Sequence, residues 1–203
     1  MSIDEGYIKY VSDWTRGPAP DHAATSLLEK WRRPLFAAGL VGHYADLGVG
    51  YGNISVRFRG TGQFVISGTQ TGDLAETHGE HYSLVTGYDI ERNRVSCVGP
   101  VEASSETLTH AALYELNPGI GAVVHIHDRR MWDELLHRAP TTAADIGYGT
   151  PEMAREFARL YRESEFPHRG IAVMAGHDEG IVCIGESLEQ AASRALRLQR
   201  DLA

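Results

Sequence analysis

The sequence predicts an α/β domain built on an antiparallel or mixed sheet, on three observations. Four short apolar, β-branched runs, Ile54 to Phe58, Phe64 to Ser67, Tyr82 to Val85 and Val95 to Val98, arrive before any second long helical segment, an order unlike that of repeated βαβ units. Stretches with apolar residues at helical spacing begin near Asp21, Ser104, Thr150 and Leu188. The 203 residues, 42% hydrophobic and 23% charged, fit one domain with a sizeable core.

Residues 1–20 show no clear period and end in Gly17-Pro18-Ala19-Pro20, which reads as an N-terminal arm and a break before a single domain over 21–203. From Asp21, residues Ala24, Leu27, Leu28, Trp31, Leu35 and Phe36 recur at three and four, giving an amphipathic helix that Pro34 is expected to interrupt. The Tyr82 and Val95 runs pair as a hairpin around the polar Asp89 to Arg94. Leu108, Ala111, Ala112 and Leu116 place a helix after Ser104-Ser105-Glu106, with Glu106 in its first turn. An apolar strand from Ala122, a short helix from Met131 to Leu136, and a helix capped by Thr150 with Pro151 in first position follow. A hairpin, Ile171 to Met174 and Ile181 to Ile184, and a helix from Leu188 to Leu202 complete the chain.

Composition excludes several function classes. A net charge of -8 argues against a general nucleic-acid surface, which needs clustered Lys and Arg. No apolar run approaches the ~20 residues that span a bilayer, and the acidic start MSIDEG is unlike a secretory signal, so the cytoplasm is the expected location. Cys97 and Cys183 each sit in an apolar run and read as core residues. With Lys9 and Lys30 the only lysines, Schiff-base chemistry lacks a candidate and carbonyl chemistry points to a metal.

The metal candidates are His125 and His127, two apart in an apolar strand and therefore on one face. Two imidazoles so placed supply two of the protein ligands a zinc-like ion wants, the alternative being hydrogen-bonded core histidines. His177, in the turn GHDEG between two β-like runs, is placed to be a third ligand, the alternative being a surface turn. The cluster Gly48-Val49-Gly50-Tyr51-Gly52-Asn53 departs from a dinucleotide fingerprint, because Asn53 stands at its last glycine and a strand follows. It reads instead as an anion nest or a plain turn. Gly68-Thr69-Gln70-Thr71-Gly72 is a loop of small donors suited to a phosphate or hydroxylated ligand.

Five motifs in order, GNISVR at 52–57, SSE at 104–106 with His110, VVHIH at 123–127, YGTPEMA at 148–154 and GHDEG at 176–180, resemble the class II aldolase/adducin family over about residues 26–200. The resemblance implies a three-layer α/β/α fold with a central mixed, largely antiparallel sheet. It implies a divalent metal on His125, His127, His177 and Glu106, with zinc favoured by a nitrogen-rich tetrahedral set. Glu106 would also be the acid/base. A substrate phosphate would lie against Gly52, Asn53, the paired Ser104 and Ser105, and a TG-type loop, either Thr71-Gly72 or Ser67-Gly68. The serines' place at a helix N-terminus suits an anion.

The implied activity is that of a metal-dependent lyase cleaving a small phosphorylated ketose, with an enediolate stabilised by the metal. A sugar-phosphate epimerase or dehydratase on the same site is the alternative, and a non-catalytic adducin-like interaction module is the alternative of another class. Relatives form tetramers with shared sites, so a homo-oligomer is expected, with no nucleic-acid or membrane partner. The chain departs from the aldolases in having no tyrosine between His127 and Tyr148, where they carry a proton donor, and no tail after the helix that ends near Ala203. Asp128 and Tyr148 are the substitutes, set against roles as a helix cap and a packing residue.

Overall fold

The computed structural model describes residues 6–58 and 60–202. The first half runs β1 (Val11–Arg16), α1 (His22–Ala37), a hairpin of β2 (Gly42–Tyr44) and β3 (Val49–Tyr51), then β4 (Asn53–Arg57), β5 (Phe64–Ser67), β6 (Tyr82–Asp89) and β7 (Arg94–Gly99). The second half runs α2 (Thr107–Leu116), β8 (Ala122–His127), α3 (Arg129–Leu135), α4 (Pro151–Glu163), α5 (Phe166–Arg169), β9 (Ile171–Val173), β10 (Gly180–Gly185) and α6 (Leu188–Leu202). One sheet has the order β1-β7-β6-β5-β4-β8-β10-β9, antiparallel at every junction except β1 with β7, which is parallel. The expected mixed, largely antiparallel sheet is the sheet observed.

Alternation along the strands divides the buried residues into two cores. On one face Ile54, Val65, Val124, Ile126 and Ile181 pack with Leu28 and Leu35 of α1 and with Ala191, Ala192 and Ala195 of α6. On the other, Phe64, Ile66, Val123 and Val182 pack with Leu108 and Ala111 of α2 and with Met153, Phe157 and Leu160 of α4. A fully buried aliphatic or aromatic side chain contributes about 1.5–3 kcal/mol, so both helix layers are held chiefly by these apolar faces. Because Ala122, Val124 and Ile126 face the α1/α6 layer, the intervening Val123, His125 and His127 face the α2/α4 layer.

Four local outcomes differ from the sequence expectations. Pro34 does not interrupt α1, which runs on to Ala37 and leaves Pro34 O accepting from Ala38 N at 3.0 Å. The proline stands in the last turn, where its missing N–H forfeits a single ladder bond. Tyr82 to Val85 extends to Asp89, and the β2/β3 pair, too short to show a period, was not anticipated. The segment read as an arm supplies β1, whose Trp14 indole donates to Gly99 O at 3.0 Å and whose Asp13 pairs with Arg94 at the surface. Residues 1–5, on which the reading of the N-terminus partly rests, lie outside the described residues. Among the described residues no helix is long and apolar enough to cross a membrane.

Candidate metal centre and anion pocket

β8 carries His125 and His127 in the middle of the sheet, between β4 and β10. Asn53 lies opposite His125 on β4, and Gly180 lies opposite His127 on β10. His177 comes from the turn before β10, closed by His177 N to Met174 O at 3.2 Å and Gly180 N to His177 O at 2.9 Å. A Cβ on Gly180 would stand 2.5 Å from His177 Cδ2 and 3.2 Å from His125 Nε2, so glycine there is what lets the two rings approach.

The three buried imidazoles offer ligand atoms within 4.8 Å of one another, and His127 Nε2 lies 3.0 Å from His177 Nε2. Metal–nitrogen bonds of about 2.1 Å hold tetrahedral ligand nitrogens roughly 3.4 Å apart, inside that spread. Glu106, at the N-cap position of α2, brings Oε1 to 3.8 Å from His177 Nε2. Both Glu106 oxygens and His125 Nε2 are buried without a hydrogen-bond partner among the described residues. Orphaned buried groups are costly, and a divalent cation would answer all three together. The donor set therefore fits the metal that the fold family implies.

Second-layer contacts favour the ligand tautomers. The Tyr44 hydroxyl donates to Glu179 Oε2 at 2.6 Å and lies 3.2 Å from His127 Nδ1. Its oxygen then accepts Nδ1–H of His127, which leaves the Nε2 lone pair directed at the cluster. Asn53 Nδ2 is 3.4 Å from His125 Nδ1, while Asn53 Oδ1 has no partner among the described residues. Turning that amide by 180° exchanges the two atoms, satisfies the oxygen, and frees the His125 Nε2 lone pair in the same way. Tyr44 escaped the sequence reading because it is far from every ligand in sequence, and Glu179, although two residues from His177 in GHDEG, because its partner Tyr44 lies 135 residues away.

Burial dominates the electrostatics of the metal-free cluster. It lowers His125 to about 3 and holds His127, His177 and His110 well below the usual imidazole range, so all four are neutral ligands or acceptors at pH 7. It raises Glu106 to about 7, with the Thr109 hydroxyl and the Lys9 charge pulling the other way.

The phosphate candidates also converge. Gly52, Asn53, Thr71, Gly72, Ser104 and Ser105 line one narrow pocket, with Gly68, Thr69 and Gln70 from the same loop and Gly6 from the N-terminal segment. Ser67 is not among them, because its hydroxyl accepts from Ile54 N at 3.1 Å inside the sheet. The loop is fixed from behind by the buried Arg32, whose guanidinium donates to Leu74 O at 2.5 Å and Thr71 O at 2.8 Å. Asp128 accepts from Met131 N at 2.9 Å and caps α3, as the helix-cap alternative has it. Tyr148 is buried with its ring 4.5 Å from that of His177.

A three-layer α/β domain with three convergent imidazoles and a carboxylate beside a pocket of small donors defines a candidate metal-site protein. The family model described as class II aldolase and adducin N-terminal domain matches residues 37–202, and the chain belongs to that family. Among solved structures it is similar to L-fuculose-1-phosphate aldolase from Thermus thermophilus, at 25% identity and a TM-score of 0.59 over 88% of each chain. A sugar-phosphate aldolase from Thermotoga maritima gives 18% and 0.64 over 88% of this chain and 91% of that one. YgbL from Escherichia coli gives 20% and 0.65 over 88% and 86%.

Proposed function

We propose that the protein is a metal-dependent lyase of the aldolase type, acting on a small phosphorylated ketose with zinc on His125, His127, His177 and Glu106. The observation that carries this reading is the cluster of orphaned donor atoms, Glu106 Oε1 and Oε2 with His125 Nε2, beside the pocket of Asn53, Ser104 and Ser105. A divalent cation held there would supply Lewis acidity, polarising a substrate oxygen and stabilising charge that develops on it. The chain's own residues do the rest. Backbone N–H groups of the glycine loop, the Ser104 and Ser105 hydroxyls and the Asn53 amide hold the phosphate. Glu106, whose proton affinity in the metal-free site sits near neutrality, takes the hydroxyl proton as the carbon–carbon bond breaks, and the bond's electron pair stays with the ketone fragment until that fragment is protonated.

The test is turnover of a panel of ketose phosphates by protein of measured metal content, with products analysed. Fragments two or three carbons long support cleavage, whereas an unbroken skeleton moves the reading to epimerisation or dehydration. A metal-free protein inert to the panel would leave the non-catalytic module. Asn53→Ala is expected to raise KM for the phosphorylated substrate more than for its dephosphorylated analogue, since only the former uses the pocket. Equal effects would move the phosphate elsewhere. Assembly into a homotetramer with shared sites belongs to the same reading, supported by the exposed Tyr7, Val11 and Trp14 along one edge. Light scattering decides it, and a fully active particle of one chain's mass would refute it.

A further inference from the structure

The segment before β1 is built into the site. Tyr7 N donates to the Tyr148 hydroxyl at 3.2 Å, and the Tyr10 hydroxyl lies 3.0 Å from both Ala103 O and Ser104 O. Asn93 Nδ2 donates to Lys9 O at 2.8 Å, and Gly6 lines the anion pocket. Between these anchors the Lys9 side chain runs along the turn 147–149, where a Cβ on Gly149 would stand 3.8 Å from Lys9 Cβ. Its ammonium sits 3.7 Å from the centroid of the Tyr148 ring, and that ring is itself in contact with His177.

We propose that Lys9 is a substrate-binding residue of this site, its ammonium taking a substrate oxyanion, either a carboxylate or the phosphate. The proposal rests on the reading of the cluster as an active site. Three features carry it. Lys9 is one of two lysines in an acidic chain, and its backbone is fixed on both sides by bonds to residues far away in sequence. Lys9 is half-buried, and its ammonium lies over the Tyr148 ring that in turn packs on His177. The residues that line the anion pocket are all neutral, so a ligand anion there would gain from a cation supplied from nearby. A packing role alone, stacking on Tyr148, is the competing account.

Calorimetric titration of the metal-supplemented full-length protein separates them, with inorganic phosphate, glycolate and 2-phosphoglycolate as probes. Lys9→Met keeps the stem on Tyr148 and removes the charge. It is expected to weaken 2-phosphoglycolate by roughly 10–100-fold, the range for a charge-assisted hydrogen bond, with the melting temperature unchanged and Lys9→Arg retaining most of the affinity. A parallel loss for glycolate assigns the carboxylate to Lys9, and a parallel loss for phosphate assigns the phosphate. Equal affinities of wild type and Lys9→Met for all three probes overturn the proposal, as does a wild type that binds none of them. Metal content, assayed on the same samples, tests the lyase reading separately. A metal-free protein whose phosphate affinity still falls on Lys9→Met keeps the oxyanion site and loses the metal enzyme.

Discussion

Glu106→Gln is expected to lower turnover by roughly 10²–10⁴-fold while the protein stays folded and keeps much of its metal affinity. The amide has the size and hydrogen-bonding reach of the carboxylate but cannot accept a proton in the reaction. The fold should tolerate it, because among the described residues neither Glu106 oxygen has a well-formed hydrogen bond that the amide would lose. In metal-free protein the substitution should even be stabilising at alkaline pH. Burial raises the folded-state pKa of Glu106 from 4.5 to about 7, so the wild type loses stability as pH climbs through that interval. The glutamine variant has no such loss, and its advantage should grow from pH 4.5 and level off above about 7. Unchanged turnover would remove Glu106 from the mechanism, and melting curves across pH would show whether its carboxyl is buried as described.

Wild-type protein grown in supplemented medium should carry about one divalent ion per chain, and His125→Ala should carry little, with turnover lost alongside it. A wild type as empty as the variant would end the metal reading. Removing the ion should expose a second effect. Four buried imidazoles, His110, His125, His127 and His177, have folded-state pKa values below the unfolded 6.5. Their stabilising neutrality is complete above pH 6.5 and is lost as pH falls below it, since the unfolded chain then binds protons the folded one refuses. Each steepens that loss, and the opposing carboxyl in the same cluster, Glu106, works against it because its folded-state pKa is raised. Chelated wild type should therefore melt at steadily lower temperature from pH 7 to 5, less steeply in His125→Ala.

Much of this was legible because it depends on short-range periods. A strand puts residues two apart on one face whatever surrounds it, so His125 and His127 could be paired from the string VVHIH alone, and the four core strands announced themselves by β-branched runs. What escaped depends on partners distant in sequence. β1 is a strand because β7 offers it an edge, not because VSDWTR alternates cleanly, and the exposed side chains along it leave little hydrophobic signal. The tautomer-setting pair Tyr44 and Glu179 meets across 135 residues. Lys9 was counted in the sequence only to dismiss imine chemistry. Its place over Tyr148 follows from tertiary docking that no local pattern encodes.

The tight seat of Gly72 also tells an engineer where this pocket can be reshaped. A Cβ there would fall 2.2 Å from Gly42 O and 2.7 Å from Gly50 Cα, both backbone atoms that cannot step aside. In a saturation library selected for new substrates, position 72 should return glycine almost alone, and so contribute no diversity. The loop's variation has to come from Thr69, half-buried, and from the exposed Gln70, which stands at φ 56, where glycine or asparagine would relax the backbone. Randomising those two positions while leaving 72 and its clamp Arg32 alone concentrates the search on variants able to fold.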